Sequence, residues 1–345
     1  MKDIFLEKGE AFIIFDKIGR DYFSNLEIED GVLLMAERKI YFTDARIFNA
    51  VKNKLKRKNI EPYLYSDFND IGKVLSDLKI ERVYIDFETT SVKKFNDLKE
   101  FGVEVLDGSM QIKKAIARKS ELEIKLIKKA CQITFKAYKF IIKELKFGVS
   151  ELEIKKRLEE KMLSLGAEGV AFDTIVAFGK NSAVPHHVSD KTTLKDGDVV
   201  LIDMGAKYKG YVADLTRTVF VGKPSKEFKK NYNAVLTANK KAISIIKAGM
   251  LLRDADNIAR QHLKTENLDR YFTHSLGHGL GREVHEYPYL SPKRDETIEN
   301  GNVFTIEPGV YFENKYGIRI EDSVVLDGEV KRLFTDDKKL KIIKI

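Results

Sequence analysis

Cysteine, histidine and long apolar runs are all scarce in this chain, and each shortage excludes something. The 345 residues include one cysteine and six histidines. A lone Cys131 rules out an intramolecular disulfide, and its place inside a helical pattern reads as a small buried hydrophobe. There is no CxxC and no HExxH, so neither a structural zinc site nor a mononuclear zincin is expected. No apolar run approaches the ~20 residues needed to cross a bilayer. Met1-Lys2-Asp3 leads into a short mixed stretch without an apolar core or cleavage site, so no signal peptide is expected. A cytoplasmic protein without a membrane partner fits these shortages.

The formal net charge is +8. Residues 1–115 carry 20 Lys+Arg against 21 Asp+Glu, about −1, which leaves about +9 for the rest. The densest basic run, KNKLKRKN at 52–59, lacks interleaved aromatics, and most other lysines fall on polar helix faces. Nucleic acid is therefore not an expected partner.

Short β-rich segments organise the first 110 residues: AFIIF (11–15), GVLLM (31–35), KIYFTD (39–44) and RVYID (82–86). Residues 45–58 and 67–79 read as helices between them. This small α/β unit holds no histidine and no cluster of polar side chains, so no chemistry is assigned to it. From Ser120 the pattern changes. SELEIK, with Ser120 and Glu123 as a capping box, starts a helix expected to end at Gly148, and the same hexapeptide at 150–155 starts a second that ends near Gly166. A hairpin follows, VVLIDMGA then KYKG then YVADLTRTVFVG. Two more helical patterns (226–248 and 253–266), a glycine-rich loop and a second strand pair complete the chain. The order helix–helix–hairpin thus occurs twice, which predicts two related halves.

Five potential metal ligands stand in apolar or glycine-rich surroundings: Asp203 in VVLIDMG, Asp214 in YVADLTRTVFV, His278 in SLGHGLG, Glu307 in VFTIEPG and Glu321 in GIRIEDSVV. A carboxylate in a buried strand is costly unless it is paired or binds a cation. Asp203 and Asp214 are equidistant from the middle of KYKG, and Glu307 and Glu321 from Asn314. Ideal hairpins would set each pair directly opposed, with Cβ atoms about 4.5–5.5 Å apart. Four carboxylates and one imidazole suit two divalent cations about 3.5–4 Å apart. The oxygen-rich set fits Mn²⁺, Co²⁺, Fe²⁺ or Zn²⁺, with availability rather than ligand preference deciding among them; Mn²⁺ is the expected ion. GHGLG lacks the Lys-Ser/Thr of a phosphate loop, which argues against nucleotide binding.

At these residues the chain resembles the pita-bread metallopeptidases, in the branch of the Xaa-Pro aminopeptidases and Xaa-Pro dipeptidases (prolidases). The segments that carry the resemblance are NSAVPHH (181–187), DGDVVLIDMGAKYKGYVADLTRT (196–218), GHGLGREVHEYP (277–288), NVFTIEPGVY (302–311) and GIRIEDSVVL (317–326). They span roughly residues 112–330, and DYFSN and YFTDARI add a weaker match to the non-catalytic N-terminal domain of that branch. The resemblance implies an α+β protein: an N-terminal α/β domain of the creatinase type (1–112) and a pita-bread catalytic domain (113–345) built as a duplicated helix–helix–hairpin. It implies that Asp203 and Asp214 ligate one metal, while Asp214, His278, Glu307 and Glu321 surround the second. Glu307 would be the general acid/base, and His186 and His285 would contact substrate and the tetrahedral intermediate. Of the adjacent His186 and His187, which point oppositely in an extended segment, the family pattern favours His186. Arg319 alternates with Glu321 on one strand face and is expected on that ground to hold a ligand carboxylate in place, and His274 is either a partner of the site or an ordinary loop residue. His262 is expected at the surface.

The leading expectation is hydrolysis of the bond between an N-terminal residue and a following proline, with proline-containing peptides and a second copy of the chain as partners. Many relatives carry arginine immediately after HE-x-P, where this chain has Tyr289. Lacking that cation, the chain is expected to be an aminopeptidase rather than a dipeptidase. Methionine aminopeptidase, creatinase-like chemistry and a non-catalytic peptide-binding module are the other readings. Retention of all five ligands disfavours the last.

Overall fold

The computed structural model describes Ile4, residues 6–336 and residues 338–344. The chain divides into two compact units at Ile116/Ala117. The division lies four residues beyond the expected 112/113 boundary because residues Ser109–Ala117 form one helix. Ile112 and Ile116 of that helix pack into the first unit's core.

In the first unit the elements run β1 (Glu10–Ile14), α1 (Lys17–Ser24), β2 (Val32–Met35), β3 (Lys39–Thr43), α2 (Ala45–Lys56), β4 (Ile60–Leu64), α3 (Asn69–Asp77), β5 (Arg82–Ile85), α4 (Val92–Glu100), β6 (Glu104–Asp107) and α5 (Ser109–Ala117). They build one six-stranded sheet in the order β4-β3-β2-β1-β5-β6. Ala11 and Ile13 of β1 join one apolar cluster and Phe12 and Ile14 another. A strand buried on both faces reads as an unbroken apolar run, which is why AFIIF was legible. Helices α1, α4 and α5 and strands β4 and β6 were not anticipated. Both strands lie at sheet edges and are mostly half-exposed or exposed, so their sequences lack the apolar signal. Pro62 in β4 is tolerated at such an edge.

The second unit opens with α6 (Glu121–Ile141) and α7 (Glu151–Ser164). Ser120 with Glu123, and Ser150 with Glu153, form complete capping boxes. Helix α6 stops well before Gly148 because Leu145 and Val149 turn into the core, while the Gly148 N–H donates to Leu194 O at 3.0 Å. Strands β7 (Gly169–Val170), β8 (Ile175–Phe178), β9 (Val199–Met204), β10 (Ala206–Tyr208), β11 (Tyr211–Val212) and β12 (Leu215–Val221) follow. After α8 (Lys226–Ile245) and α9 (Leu252–Thr265) come β13 (Gly277–Gly279), β14 (Glu286–Leu290), β15 (Val303–Ile306), β16 (Gly309–Phe312), β17 (Tyr316–Arg319), β18 (Asp322–Asp327), β19 (Glu329–Arg332) and β20 (Ile342–Ile343). The two helix–helix–hairpin halves are therefore present. Among the described residues no helix is long and apolar enough to cross a membrane.

The two ligand hairpins differ from ideal geometry in different ways. In the first, Tyr208 pairs with Tyr211 around Lys209 and Gly210, both at positive φ (48° and 74°), the signature of a two-residue type I′ turn. The centre lies one residue beyond the middle of KYKG, so Asp203 faces Thr216 and not Asp214. Because the pairing shifts by two residues, Asp214 keeps the same face as the diagonal neighbour of Asp203. In the second hairpin Ile306 pairs with Asp322 and Gly309 with Arg319, which brackets Glu307 and Glu321 in the anticipated register. The ladder opens between them. Glu307 N–H turns to Leu276 O (2.8 Å) and Glu321 N–H to Thr216 O (3.1 Å), tying the second hairpin to β13 and to the first hairpin.

Candidate metal centre

All five anticipated ligands line one cavity of about 520 Å³. Ligand atoms of Asp214, His278 and Glu321 lie within 4.8 Å of one another. His278 Nε2 is 3.1 Å from Glu307 Oε1 and 3.7 Å from Asp214 Oδ2. Their placement needs the glycines on either side of His278. A Cβ on Gly277 would lie 1.9 Å from Thr305 O, and one on Gly279 would lie 2.3 Å from Tyr287 O, so β13 fits between β14 and β15 only without side chains there. Gly277→Ala is expected to cost roughly 1–3 kcal/mol of stability by overpacking and to displace His278. Thermal melts and metal stoichiometry check this, and wild-type values of both would contradict it.

Each remaining acid is held from behind. Arg319 Nη2 donates to Asp203 Oδ2 at 2.6 Å and Nε to Thr216 Oγ1 at 3.0 Å. Thr216 Oγ1 in turn donates to Glu321 Oε2 at 2.6 Å. Arg319 Nη1 donates to the Tyr311 hydroxyl at 2.8 Å, and that hydroxyl lies 3.0 Å from His274 Nε2. Thr305 Oγ1 donates to Glu307 Oε1 at 3.0 Å. One oxygen of each of three carboxylates is left over: Asp203 Oδ1, Asp214 Oδ1 and Glu321 Oε1 are buried with no donor. Burial and repulsion among neighbouring carboxylates hold Asp214 and Glu321 well above the usual carboxylate range. Burial also raises Glu307, but the His278 hydrogen bond and the charges of His278, His274 and Arg319 outweigh it and hold that carboxyl at about 2. Orphaned buried oxygens in a cluster of like charges are the condition a divalent cation relieves. The donor set is oxygen-rich with one imidazole, so these residues fit divalent metal ions.

His186 and His285 also line the cavity, and the His285 ring packs against His278 with centroids 4.4 Å apart. Tyr289 lines it too, paired across the sheet with His278. His187 lines the cavity as well, with its Nε2 held 2.7 Å from Glu151 Oε2; Pro185 and His186 form a turn closed by His187 N–H to Val184 O at 3.2 Å, not the extended segment expected. His262 is half-buried rather than fully at the surface, its Nδ1 lying 3.2 Å from Lys241 Nζ. Sequence reasoning missed Thr216 and Thr305, whose hydroxyls bond Glu321 and Glu307, and Tyr311, whose hydroxyl meets Arg319 and His274. Thr216 lies two residues after Asp214 and Thr305 two before Glu307, and period-2 alternation could have placed them beside the acids.

A pita-bread fold around a buried cluster of four carboxylates and one histidine defines a metal-dependent hydrolase. Residues 125–327 match the model of metallopeptidase family M24, and residues 7–115 match the creatinase/prolidase N-terminal domain. The chain belongs to metallopeptidase family M24 and is a metallo-exopeptidase. It is 38% identical over 280 residues to an Xaa-Pro dipeptidase of Pyrococcus furiosus, covering 80% of this chain and 79% of the relative. A solved Xaa-Pro dipeptidase from Bacillus anthracis superimposes with TM-score 0.89 at 33% identity, covering 96% of this chain and 95% of that one. An X-Pro aminopeptidase from Thermotoga maritima superimposes with TM-score 0.85 at 35% identity, with coverage of 96% and 95%.

Proposed function

We propose that this chain is a dinuclear metal-dependent Xaa-Pro dipeptidase. The observation that carries the reading is the set of three unpartnered carboxylate oxygens gathered in the cavity that His186 and His285 also line. Relatives named as Xaa-Pro dipeptidases favour this over the aminopeptidase expected from Tyr289. The aminopeptidase is the second reading, supported by the likeness to the Thermotoga maritima enzyme.

Asp203, Asp214, His278, Glu307 and Glu321 would hold two divalent ions. Bound there, these would supply a water ionised at neutral pH and polarisation of the scissile carbonyl. Arg319 keeps Asp203 oriented directly and Glu321 through Thr216. Glu307 takes the proton of the attacking water at Oε2, the oxygen that Thr305 and His278 leave free, and passes it to the departing proline nitrogen. In the substrate that nitrogen is a tertiary amide nitrogen without an N–H, and it leaves as a secondary amine once the C–N bond breaks and it takes up this proton. His186 and His285 donate to the carbonyl oxygen as negative charge builds on it.

The test combines metal exchange with substrate length. Chelation should abolish hydrolysis of Xaa-Pro dipeptides, and Mn²⁺ should restore it best among Mn²⁺, Co²⁺, Fe²⁺ and Zn²⁺. kcat/KM should be at least about tenfold higher on Xaa-Pro than on Xaa-Pro-Xaa, a difference of about 1.4 kcal/mol in transition-state binding. Equal or faster cleavage of the tripeptide returns the aminopeptidase reading. Failure to cleave either, with metal bound, rejects the proline-directed reading. Light scattering of the same preparations checks the homodimer.

A further inference from the structure

His186 makes no side-chain hydrogen bond among the described residues, and it is exposed to the cavity. Its direction must therefore come from the backbone on either side. Upstream, Ser182 Oγ accepts from Gly317 N–H at 2.9 Å and Pro185 O accepts from Arg319 Nη1 at 3.3 Å, anchoring the segment to the second ligand hairpin. From both sides of His186, further bonds converge on Glu151, the first residue of α7 and 0% exposed. Its Oε1 accepts from Phe178 N–H at 2.7 Å and Asn181 Nδ2 at 2.9 Å. Its Oε2 accepts from His187 Nε2 at 2.7 Å and Asp190 N–H at 3.0 Å. The free N–H groups of the same helix turn add bonds from Glu151 to Thr192 O and from Leu152 to Asp190 O, each 3.1 Å. One buried carboxylate and one helix start thus gather donors and acceptors from residues 178–192, with His186 inside the gathered span.

We propose that Glu151 and His187 form a clamp that positions His186 in the substrate cavity, an inference that rests on His186 being a substrate-contacting donor as proposed above. Pro185 and His186 are the middle residues of a turn that His187 N–H closes by donating to Val184 O at 3.2 Å, so pinning the His187 ring to Glu151 fixes one end of that turn and with it the direction in which His186 leaves it. The trio Glu151, His187 and Asp190 also has ligand atoms within 4.8 Å of one another. It is not a third cation site, because the Glu151 oxygens already accept four hydrogen bonds from nitrogen donors. Burying the carboxylate is tolerated because those donors replace its water. Glu151 and His187 are positioning residues and act on the reaction only through His186.

A double-mutant cycle on the metal-loaded enzyme tests this, with kcat and KM expressed per bound-metal equivalent. His186→Ala should lower kcat by about a hundredfold, the usual loss for one oxyanion donor. His187→Phe, which removes the N–H that meets Glu151, should lower kcat at least about tenfold with KM and metal stoichiometry near wild type. His187→Gln keeps a donor and should recover most of that loss. In the His186→Ala background, His187→Phe should cost no more than about twofold further, because groups acting as a unit are non-additive. If His187→Phe does not fold, His187→Leu lacks the same donor and serves in its place. Independent, multiplicative losses, or an unimpaired His187→Phe, would overturn the clamp while leaving the role of His186 intact. An unimpaired His186→Ala would instead reject the role of His186, and the clamp with it.

Discussion

Asp214→Asn is expected to lower kcat/KM on a proline dipeptide by at least about a thousandfold, the scale on which loss of a metal-activated nucleophile is felt. The same change should make the metal-free protein no less stable than wild type, and by argument more so. Asp214 is 5% exposed, with one oxygen lacking any donor, and burial together with the charges of Glu321, Asp203 and Glu307 pushes its carboxyl well above the usual range. Without a cation, that residue is a source of repulsion. Its deletion to a neutral isostere relieves the strain and takes away the reason to bind metal. A bound ion stabilises by an amount set by its concentration over Kd, about 2.7 kcal/mol at a hundredfold excess. Wild type should therefore show a large gap between loaded and chelated melting temperatures, and the variant a small one. Calorimetry with and without chelator, beside metal analysis, reads all three quantities. A variant that kept full metal and more than a tenth of the activity would sink the assignment of Asp214 as a shared ligand.

The candidate ligands stood out in the sequence because burying charge in apolar strands is unusual, and that signal is local. How they meet was legible only in part. Counting from Asn314 gave the register that flanks Glu307 and Glu321, because that hairpin keeps it on both sides of the break, although the two acids themselves lie where the ladder is open. Counting across KYKG failed for Asp203 and Asp214 because composition locates a four-residue turn, while its centre depends on which two residues take positive φ. Lys209 is an unremarkable residue in the sequence and a left-handed one in the fold. Orientation of the acids depends on Thr216, Thr305, Tyr311 and Arg319. Of these, Arg319 was anticipated from strand alternation with Glu321, although its partner proved to be Asp203. Glu151 was read only as part of a repeated SELEIK. Its four partners lie 27 to 39 residues away, beyond the reach of any periodicity. Edge strands and the early end of α6 escaped for the related reason that tertiary contacts decided them.

Asp322 offers the largest expected effect on stability from a residue outside the ligand set. It is 0% exposed, directly after Glu321, and three cations converge on it. Its Oδ1 accepts from Arg217 Nη2 at 2.8 Å and Arg332 Nη2 at 2.9 Å, and its Oδ2 from Lys338 Nζ at 2.7 Å. Burial raises its carboxyl, but Arg217, Lys338 and Arg332 together hold it far below the usual carboxylate range. Arg217 and Arg332 share a second acid, Asp336. Arg217 also donates to Thr216 O at 2.9 Å and to Glu321 O. The cluster therefore joins the chain's last segment to the backbone that carries Glu321. Asp322→Asn keeps the shape and removes one of two anions facing three cations. Stripping one partner from a buried ion pair costs roughly 3–5 kcal/mol, because the remaining charges stay desolvated. For a unit of this size that corresponds to a fall in melting temperature of about 10 °C. Metal affinity should fall with it, since Glu321 loses part of its support. The contrast with Asp214→Asn is the informative part. Two aspartates, both buried in the same unit, are expected to change metal-free stability in opposite directions. One faces other carboxylates and the other faces only cations. Thermal melts of both variants in chelator check the sign, and equal shifts would mean that the electrostatic division between ligand cluster and supporting cluster is wrong.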